Sequence, residues 1–319
     1  MPLVSVIIPI YGVEQYIERC ARSLFEQTLK DIEYIFVDDA TKDHSIKILQ
    51  NIIEEYPERK SNVTIIHHKT NQGLPQARKT GIKNANGKYI AHCDSDDSVD
   101  KEMYKMMVEK AESEKLDIVI CDLLKIDSTN RYHQSFFKET PSNKDYIYTN
   151  LCRNTSLHNL VGLLCNHQLY NNDLIYPTVN MGEDFALVAQ LFYYAHKIGY
   201  IQQPFYHYYQ NPTSIMNNNN DGWIIKKYEQ LKCNSDIIVN FLSSKRINKK
   251  YSLFLKLDHT LNCKFNIRDR KVLKENKNLF YQDINYKIYF KKGISLMDKI
   301  RLFLVSNRLH FLIDLKLRY

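Results

Sequence analysis

The chain has 319 residues, 44% of them hydrophobic and 25% charged, a balance that excludes a disordered tail, a collagen-like repeat and a disulfide mini-scaffold. Seven cysteines at 20, 93, 121, 152, 165, 233 and 263 form no Cys-x-x-Cys pair, which fits reduced thiols better than a disulfide framework. The net charge of +8 is uneven: residues 221–319 hold 22 Lys and Arg against 9 Asp and Glu, whereas residues 1–220 hold 22 against 27.

The first eight residues, Met-Pro-Leu-Val-Ser-Val-Ile-Ile, lack the basic n-region and cleavage site of a signal peptide. No run reaches the roughly 18 unbroken apolar residues of a membrane span. The expected setting is cytoplasmic. Along the chain, apolar runs at 3–10, 31–37, 63–67, 88–92 and 117–121 predict five strands. Between them, Val13, Ile17, Cys20 and Leu24 share one helical face, and 43–56, 74–84 and 101–113 predict further helices. Strands alternating with crossover helices predict a parallel three-layer α/β sheet. Residues 123–148 predict irregular strands and loops, 157–164 and 183–196 predict helices, and the basic segment predicts helices near 222–243, 250–265, 270–279 and 296–316. The polar run at 217–220 marks the expected boundary between a catalytic domain, 1–220, and a helical region, 221–319. Within the first, 1–121 is the expected donor half and 122–220 the acceptor half.

In an open α/β sheet, ligands bind beyond the carboxyl ends of the strands. Strand one ends at Pro9-Ile10-Tyr11-Gly12, strand two at Asp38-Asp39 and strand four at Asp94-Ser95-Asp96-Asp97. Five carboxylates sharing one crevice need a divalent cation or hydrogen-bond donors among them; the plain alternative is that they start turns and cap helices. No GxGxxG follows a strand and no GxxxxGK[ST] occurs, which excludes a dinucleotide-binding site and a P-loop. The histidines 67, 68, 158, 167 and 207 have no zinc-ligand spacing. Cys93 reads as a small buried hydrophobe.

The series Val4-Ser5-Val6-Ile7-Ile8-Pro9-Ile10-Tyr11, Ser23-Leu24-Phe25-Glu26-Gln27-Thr28 and Ile35-Phe36-Val37-Asp38-Asp39 resembles the opening of family 2 glycosyltransferases of GT-A fold. Asn71-Gln72-Gly73-Leu74-Pro75-Gln76-Ala77-Arg78, Gly87-Lys88-Tyr89-Ile90, Asp94-Ser95-Asp96-Asp97 and Gly182-Glu183-Asp184-Phe185 continue it in family order, with a weaker match at 206–215. The resemblance implies a Rossmann-like, mostly parallel sandwich with a helical C-terminal extension. It implies that Pro9, Tyr11 and Asp39 hold the nucleoside of a nucleotide-sugar donor, with Arg78 beside it. Asp94, Ser95 and Asp96 match the DxD motif, whose last aspartate, Asp96, would ligate Mg²⁺ or Mn²⁺. Asp184 matches the catalytic base of the inverting enzymes. Gly12, Ala40-Thr41-Lys42 and Lys79 depart from the pattern. The implied reaction moves a sugar, UDP-linked by expectation, onto a saccharide or lipid-linked saccharide in bacterial surface polysaccharide assembly.

Two alternatives differ in chemistry. A sugar-phosphate nucleotidyltransferase would need a Gly-rich basic loop after strand one, which is missing; a non-catalytic binding module would not need Asp39, Asp94, Asp96 and Asp184 together. For the basic segment three readings stay open: a helical cap, a peripheral contact with the inner face of the cell membrane, and nucleic-acid binding, the last not expected without a recognised module. The membrane reading rests on apolar stripes at 295–317, interspersed with Lys299, Arg301, Arg308, Lys316 and Arg318.

Overall fold

The computed structural model describes residues 1–137, 141, 144–153, 155–211, 221–267, 270–284 and 300, in two compact units, Met1–Ser214 and Ile215–Tyr319. The β-branched run Val4–Ile10 forms β1, buried along its whole length as a central parallel strand must be. Ile17–Phe25 follows as α1, turning Ile17, Cys20, Ala21, Leu24 and Phe25 inward. Next come β2 (Ile32–Asp38), α2 (Ser45–Glu55), the single turn α3 (Pro57–Lys60), β3 (Val63–His67), α4 (Leu74–Asn84) and β4 (Tyr89–His92). These strands lie in the order β3-β2-β1-β4, all parallel, so their carboxyl ends share one edge. Gly81 lets α4 sit close on β1: a Cβ there would come within 2.3 Å of Ile7 Cγ2.

The second half is mixed. After the short β5 (Ser98–Val99), α5 (Met103–Glu114), β6 (Ile118–Ile126) and β7 (Arg131–Gln134), the chain forms α6 (Lys144–Arg153), β8 (Leu163–Asn166), α7 (Glu183–Tyr194) and β9 (Ile198–Tyr209). β8 runs antiparallel between β4 and β6, so the predicted fifth strand, now β6, is not a direct parallel neighbour of β4. β9 pairs parallel with β6 and antiparallel with β5. The helix expected at 157–164 is instead a 3₁₀ turn, Thr155–His158, leading into β8. Gly162, at φ +76°, breaks any helix there.

In the second unit, α8 (Asp221–Ser244) and α9 (Lys249–Asn266) are joined by a short turn and followed by α10 (Arg270–Glu275). Tyr228, Cys263, Ile267 and Leu279 form its core, with Ile224, Leu231 and Phe280 packed against them. Tyr228 donates to the Asn262 carbonyl at 3.0 Å and His259 to that of Leu279 at 2.7 Å. Among the described residues no helix is long and apolar enough to cross a membrane. The polar run at 217–220 and the stripes at 295–317, Ile300 apart, lie outside the described residues.

Candidate active site

Because β1, β2 and β4 are parallel neighbours, Tyr11, Asp39 and Asp94 emerge along the same edge of the first unit. Pro9 is buried within β1 in register with Val37, and Tyr11 beyond it is 53% exposed. Gly12, at φ +68°, turns the chain, and its amide donates to Thr41 Oγ1 at 2.9 Å. The Val13 amide donates to Ser45 Oγ and the Glu14 amide to Asp43, tying the Tyr11 loop to the one after β2.

Asp39 is buried and held on three sides. Its Oδ1 accepts from the Gln72 amide at 2.8 Å and meets His68 Nδ1 at 2.7 Å, while Oδ2 accepts from the Gly73 amide at 2.8 Å. His68 is fixed in turn by Thr80 Oγ1 at 2.9 Å. A carboxylate offers about four acceptor positions, so Oδ2 keeps one for a further donor. Asp38 meets His67 Nδ1 at 2.8 Å and accepts from the Thr41 amide. Neither histidine was assigned a role by the sequence reading; both steady the aspartates at the end of β2.

The loop after β4 brings the other acids together. Tyr206, fully buried on β9, donates to Asp97 Oδ2 at 2.7 Å and accepts from the Asp94 amide at 3.0 Å. The Tyr209 amide donates to Asp97 Oδ1 at 2.8 Å. From α1, Arg19 donates to the Asp96 carbonyl and packs over the Tyr209 ring, 3.4 Å from its centroid. The buried thiols of Cys20 and Cys93, 3.9 Å apart, both reach the Asp94 carbonyl. Ser95 is buried; Asp94 and Asp96 are partly exposed.

Arg78 is the hub. It lies on α4, 2% exposed, with Nη2 2.9 Å from Asp94 Oδ1 and 3.2 Å from Asp184 Oδ1, and Nε 2.9 Å from Glu183 Oε1. The Glu183 contact is a charge contact, since Nε makes no hydrogen bond there, and Nη1 is likewise buried without one. Burial opposes the guanidinium's charge, but Asp184, Glu183 and Asp94 outweigh it and hold the group protonated. Beneath it His92 is fully buried, and burial, then Arg78, push its pKa far down, so it is neutral. Glu183 and Asp184 open α7, whose preceding Gly182 adopts φ +78°. Asn180 ties this corner to the Asp39 loop by accepting from the Leu74 amide at 3.2 Å.

Arg78, with Arg19 beside Asp96, leaves negative charge among so many acids uncompensated. Burial raises the Asp94 pKa to about 6, with Arg78 pulling it down and Asp184 and Asp96 pushing it up. Burial also raises Asp96, Asp97 and Glu183. The structure therefore gathers Asp94, Asp96, Arg78 and Asp184 in one cluster and Asp39 with Tyr11 beside the Gln72-Gly73 loop. Arg78 sits beneath the acids rather than open at the edge. Sequence reasoning missed His68, Arg19, Tyr206 and the charge contact of Glu183; the aromatic run 206–209 was the one sign of the tyrosine anchor.

The glycosyl transferase family 2 pattern matches residues 5–166 of this chain. The chain belongs to that family. It is 47% identical over 131 residues to the uncharacterized glycosyltransferase EpsJ of Bacillus subtilis, a match covering 41% of this chain and 37% of that relative's length. Among solved structures, S. aureus TarS residues 1–349 in complex with UDP-GlcNAc superposes at TM-score 0.58 with 20% identity, covering 83% of this chain and 81% of the other. The mannosyltransferase PcManGT of Pyrobaculum calidifontis, in complex with GDP-Man and Mn²⁺, superposes at 0.57 with 14% identity, covering 98% and 88%. These likenesses place the first unit in the GT-A fold, with the mixed second half described above.

Proposed function

We infer that this family 2 chain transfers a sugar, with inversion, from a nucleoside-diphosphate donor to a saccharide or lipid-linked saccharide acceptor in surface polysaccharide assembly. The observation that carries the reading is the convergence of Asp94, Glu183 and Asp184 around the buried Arg78, with Asp96 next to Asp94 on the sheet edge that also carries Asp39. Tyr11 offers an exposed ring to a nucleobase, and the remaining acceptor position on Asp39 suits the ring N–H of a pyrimidine. The UDP-GlcNAc complex of the similar-fold TarS supports a UDP-linked donor. Lipid-linked acceptors are met at a membrane surface, and the positive charge of 221–319 suits an anionic one.

The acid cluster fits Mg²⁺ or Mn²⁺. Its donors are hard carboxylate oxygens; burial, with the like charges of Asp184 and Asp96 opposing Arg78, raises Asp94, and burial raises Asp96 against the pull of Arg19. No group of three or more His, Cys, Asp or Glu side chains forms a metal cage among the described residues, but an ion that also takes phosphate oxygens and water needs only one or two carboxylates. Asp96, with Asp94 beside it, would hold it. The chemistry supplied there would be neutralisation of charge on the departing diphosphate. Asp184 takes the proton of the attacking acceptor hydroxyl, and Glu183 and Arg78 fix its place at the start of α7.

Turnover of UDP-, GDP- and dTDP-sugars with Mn²⁺, read as nucleoside diphosphate release, tests the reading. Asp96→Asn should abolish release while circular dichroism shows the fold intact; wild-type turnover in that variant, or pyrophosphate as the product, overturns it. Metal binding also has a pH signature, because a ligand carboxyl must be ionised. With Asp94 raised to about 6, Mn²⁺ affinity in the presence of UDP should level off above about pH 7 and fall up to about tenfold per unit below about pH 6. Calorimetric titration showing a flat profile down to the ordinary carboxylate range would remove Asp94 from the metal's surroundings.

A further inference from the structure

Three neighbouring strands of the first unit carry a second row of side chains beside the acid cluster. Tyr206 and Tyr208 are two apart on β9 and so stand on the same face. Tyr206 reaches Asp97 and the Asp94 amide. Tyr208 thus stands next along the face from which Tyr206 reaches the acids, and burial, then Asp97, Asp94, Asp96 and Asp184, push its phenol up to about 12. Lys125 of β6 is in register with Tyr208 on one side and with Tyr132 of β7 on the other. Register partners share a face, so Tyr132, Lys125 and Tyr208 form a row across β7, β6 and β9. Its outer members are two strand spacings apart, about 10 Å.

Lys125 has unmet needs. Its ammonium lies 5.6 Å from the Tyr208 ring centroid, and the side chain is half-buried. Burial lowers its pKa. No ion pair to a carboxylate satisfies it among the described residues. A partly desolvated ammonium is costly without oxygen acceptors, and a ligand can bring them. The flanking rings offer apolar faces with the positive edge of the ammonium between them; Tyr132 is 44% exposed. A pyranose ring answers both features, with a C–H face for the phenols and hydroxyl oxygens for the ammonium. A row this short is far below the area of a protein interface.

We propose that Tyr132, Lys125 and Tyr208 form the acceptor subsite, seating a saccharide ring on the two phenols with its hydroxyls accepting from Lys125 Nζ. The proposal rests on the reading of the acid cluster as the donor site, beside which an acceptor must lie. Saturation-transfer NMR of the full chain with the methyl glycosides of glucose, galactose and N-acetylglucosamine tests it, alongside the thermal shift given by UDP with Mn²⁺. The wild type should transfer saturation to the ring protons of at least one glycoside. Tyr208→Leu and Lys125→Met should each weaken that transfer about three- to tenfold, with the UDP shift unchanged. Tyr132→Ala, at an exposed position, should do the same without touching the fold. Equal transfer in wild type and all three variants, or none from any glycoside to the wild type, overturns the subsite. Saccharide transfer that responds to the variants in a chain that UDP and Mn²⁺ fail to stabilise would keep the subsite and overturn the donor reading instead.

Discussion

Asp184→Asn is expected to bind UDP-sugar and Mn²⁺ as the wild type does and to lose transfer by about 10²–10⁴-fold, the usual contribution of a positioned general base. The amide keeps the size of the carboxyl and removes its basicity. Asp184 is suited to the role by position: it opens α7, its side chain is 22% exposed, and Oδ1 lies 3.2 Å from Arg78 Nη2. The guanidinium orients the carboxyl while solvent, and hence an acceptor hydroxyl, can still reach it. The same substitution has a second readout. Asp184 is one of the charges that raise the Asp94 pKa, so removing it should move the acid limb of Mn²⁺ binding to lower pH. Single-turnover kinetics with saturating donor and a titration of metal affinity against pH separate the two effects. Retained turnover with weakened donor affinity would make Asp184 a binding residue and place the base elsewhere.

Residues 1–121 of the first unit were legible because their physics is local. A central parallel strand is buried on both faces and so is apolar throughout, as in Val4–Ile10 and Ile32–Asp38. Acids that follow such runs fall at the ligand-binding edge by topology alone, and Asp39, Asp94 and Asp96 could be placed from that rule. The rest of that unit was not legible in the same way. Short apolar runs such as Leu163–Asn166 suit a strand or a buried helical turn equally, and what decided β8 was pairing with β4 and β6, strands distant in sequence. The helix Lys144–Arg153, in a stretch expected to be irregular, has only a weakly apolar face. Most of β9 went unread because its glutamines and Pro204 interrupt the alternation. The family resemblance implies a nucleotide contact for Arg78, and arginine is seldom fully buried; only the fold brings Glu183 and Asp184 across to it.

Arg78→Met is expected to have the largest effect on the fold and on catalysis together. The guanidinium is 2% exposed and lies within 3.2 Å of Asp94, Glu183 and Asp184 at once. Its removal leaves three carboxyls against an apolar chain, the case in which breaking a buried charge network costs about 3–5 kcal/mol. Asp94 and Glu183, already raised by burial and held down by Arg78, would then rise further. The sign of the pH effect follows. Acids whose pKa is higher folded than unfolded favour the folded state below their unfolded values and lose that advantage as pH rises through the folded ones. The Arg78→Met chain should therefore melt well below wild type at pH 7.5 and recover part of the difference as pH is lowered through about 6. Asp184 would also lose the guanidinium that lies 3.2 Å from its Oδ1, so transfer should fall at least as far as in Asp184→Asn. Arg78→Lys restores one charge without the planar fork. It should regain most of the melting temperature and little of the activity, because an ammonium cannot hold Asp94 and Asp184 in a fixed relation. Melting curves against pH, read beside kcat and donor KM, decide the point. If Arg78→Lys and Arg78→Met both melt like wild type and differ from it only in donor KM, Arg78 is the nucleotide contact that the family resemblance implies, and the carboxylates are held apart by other means.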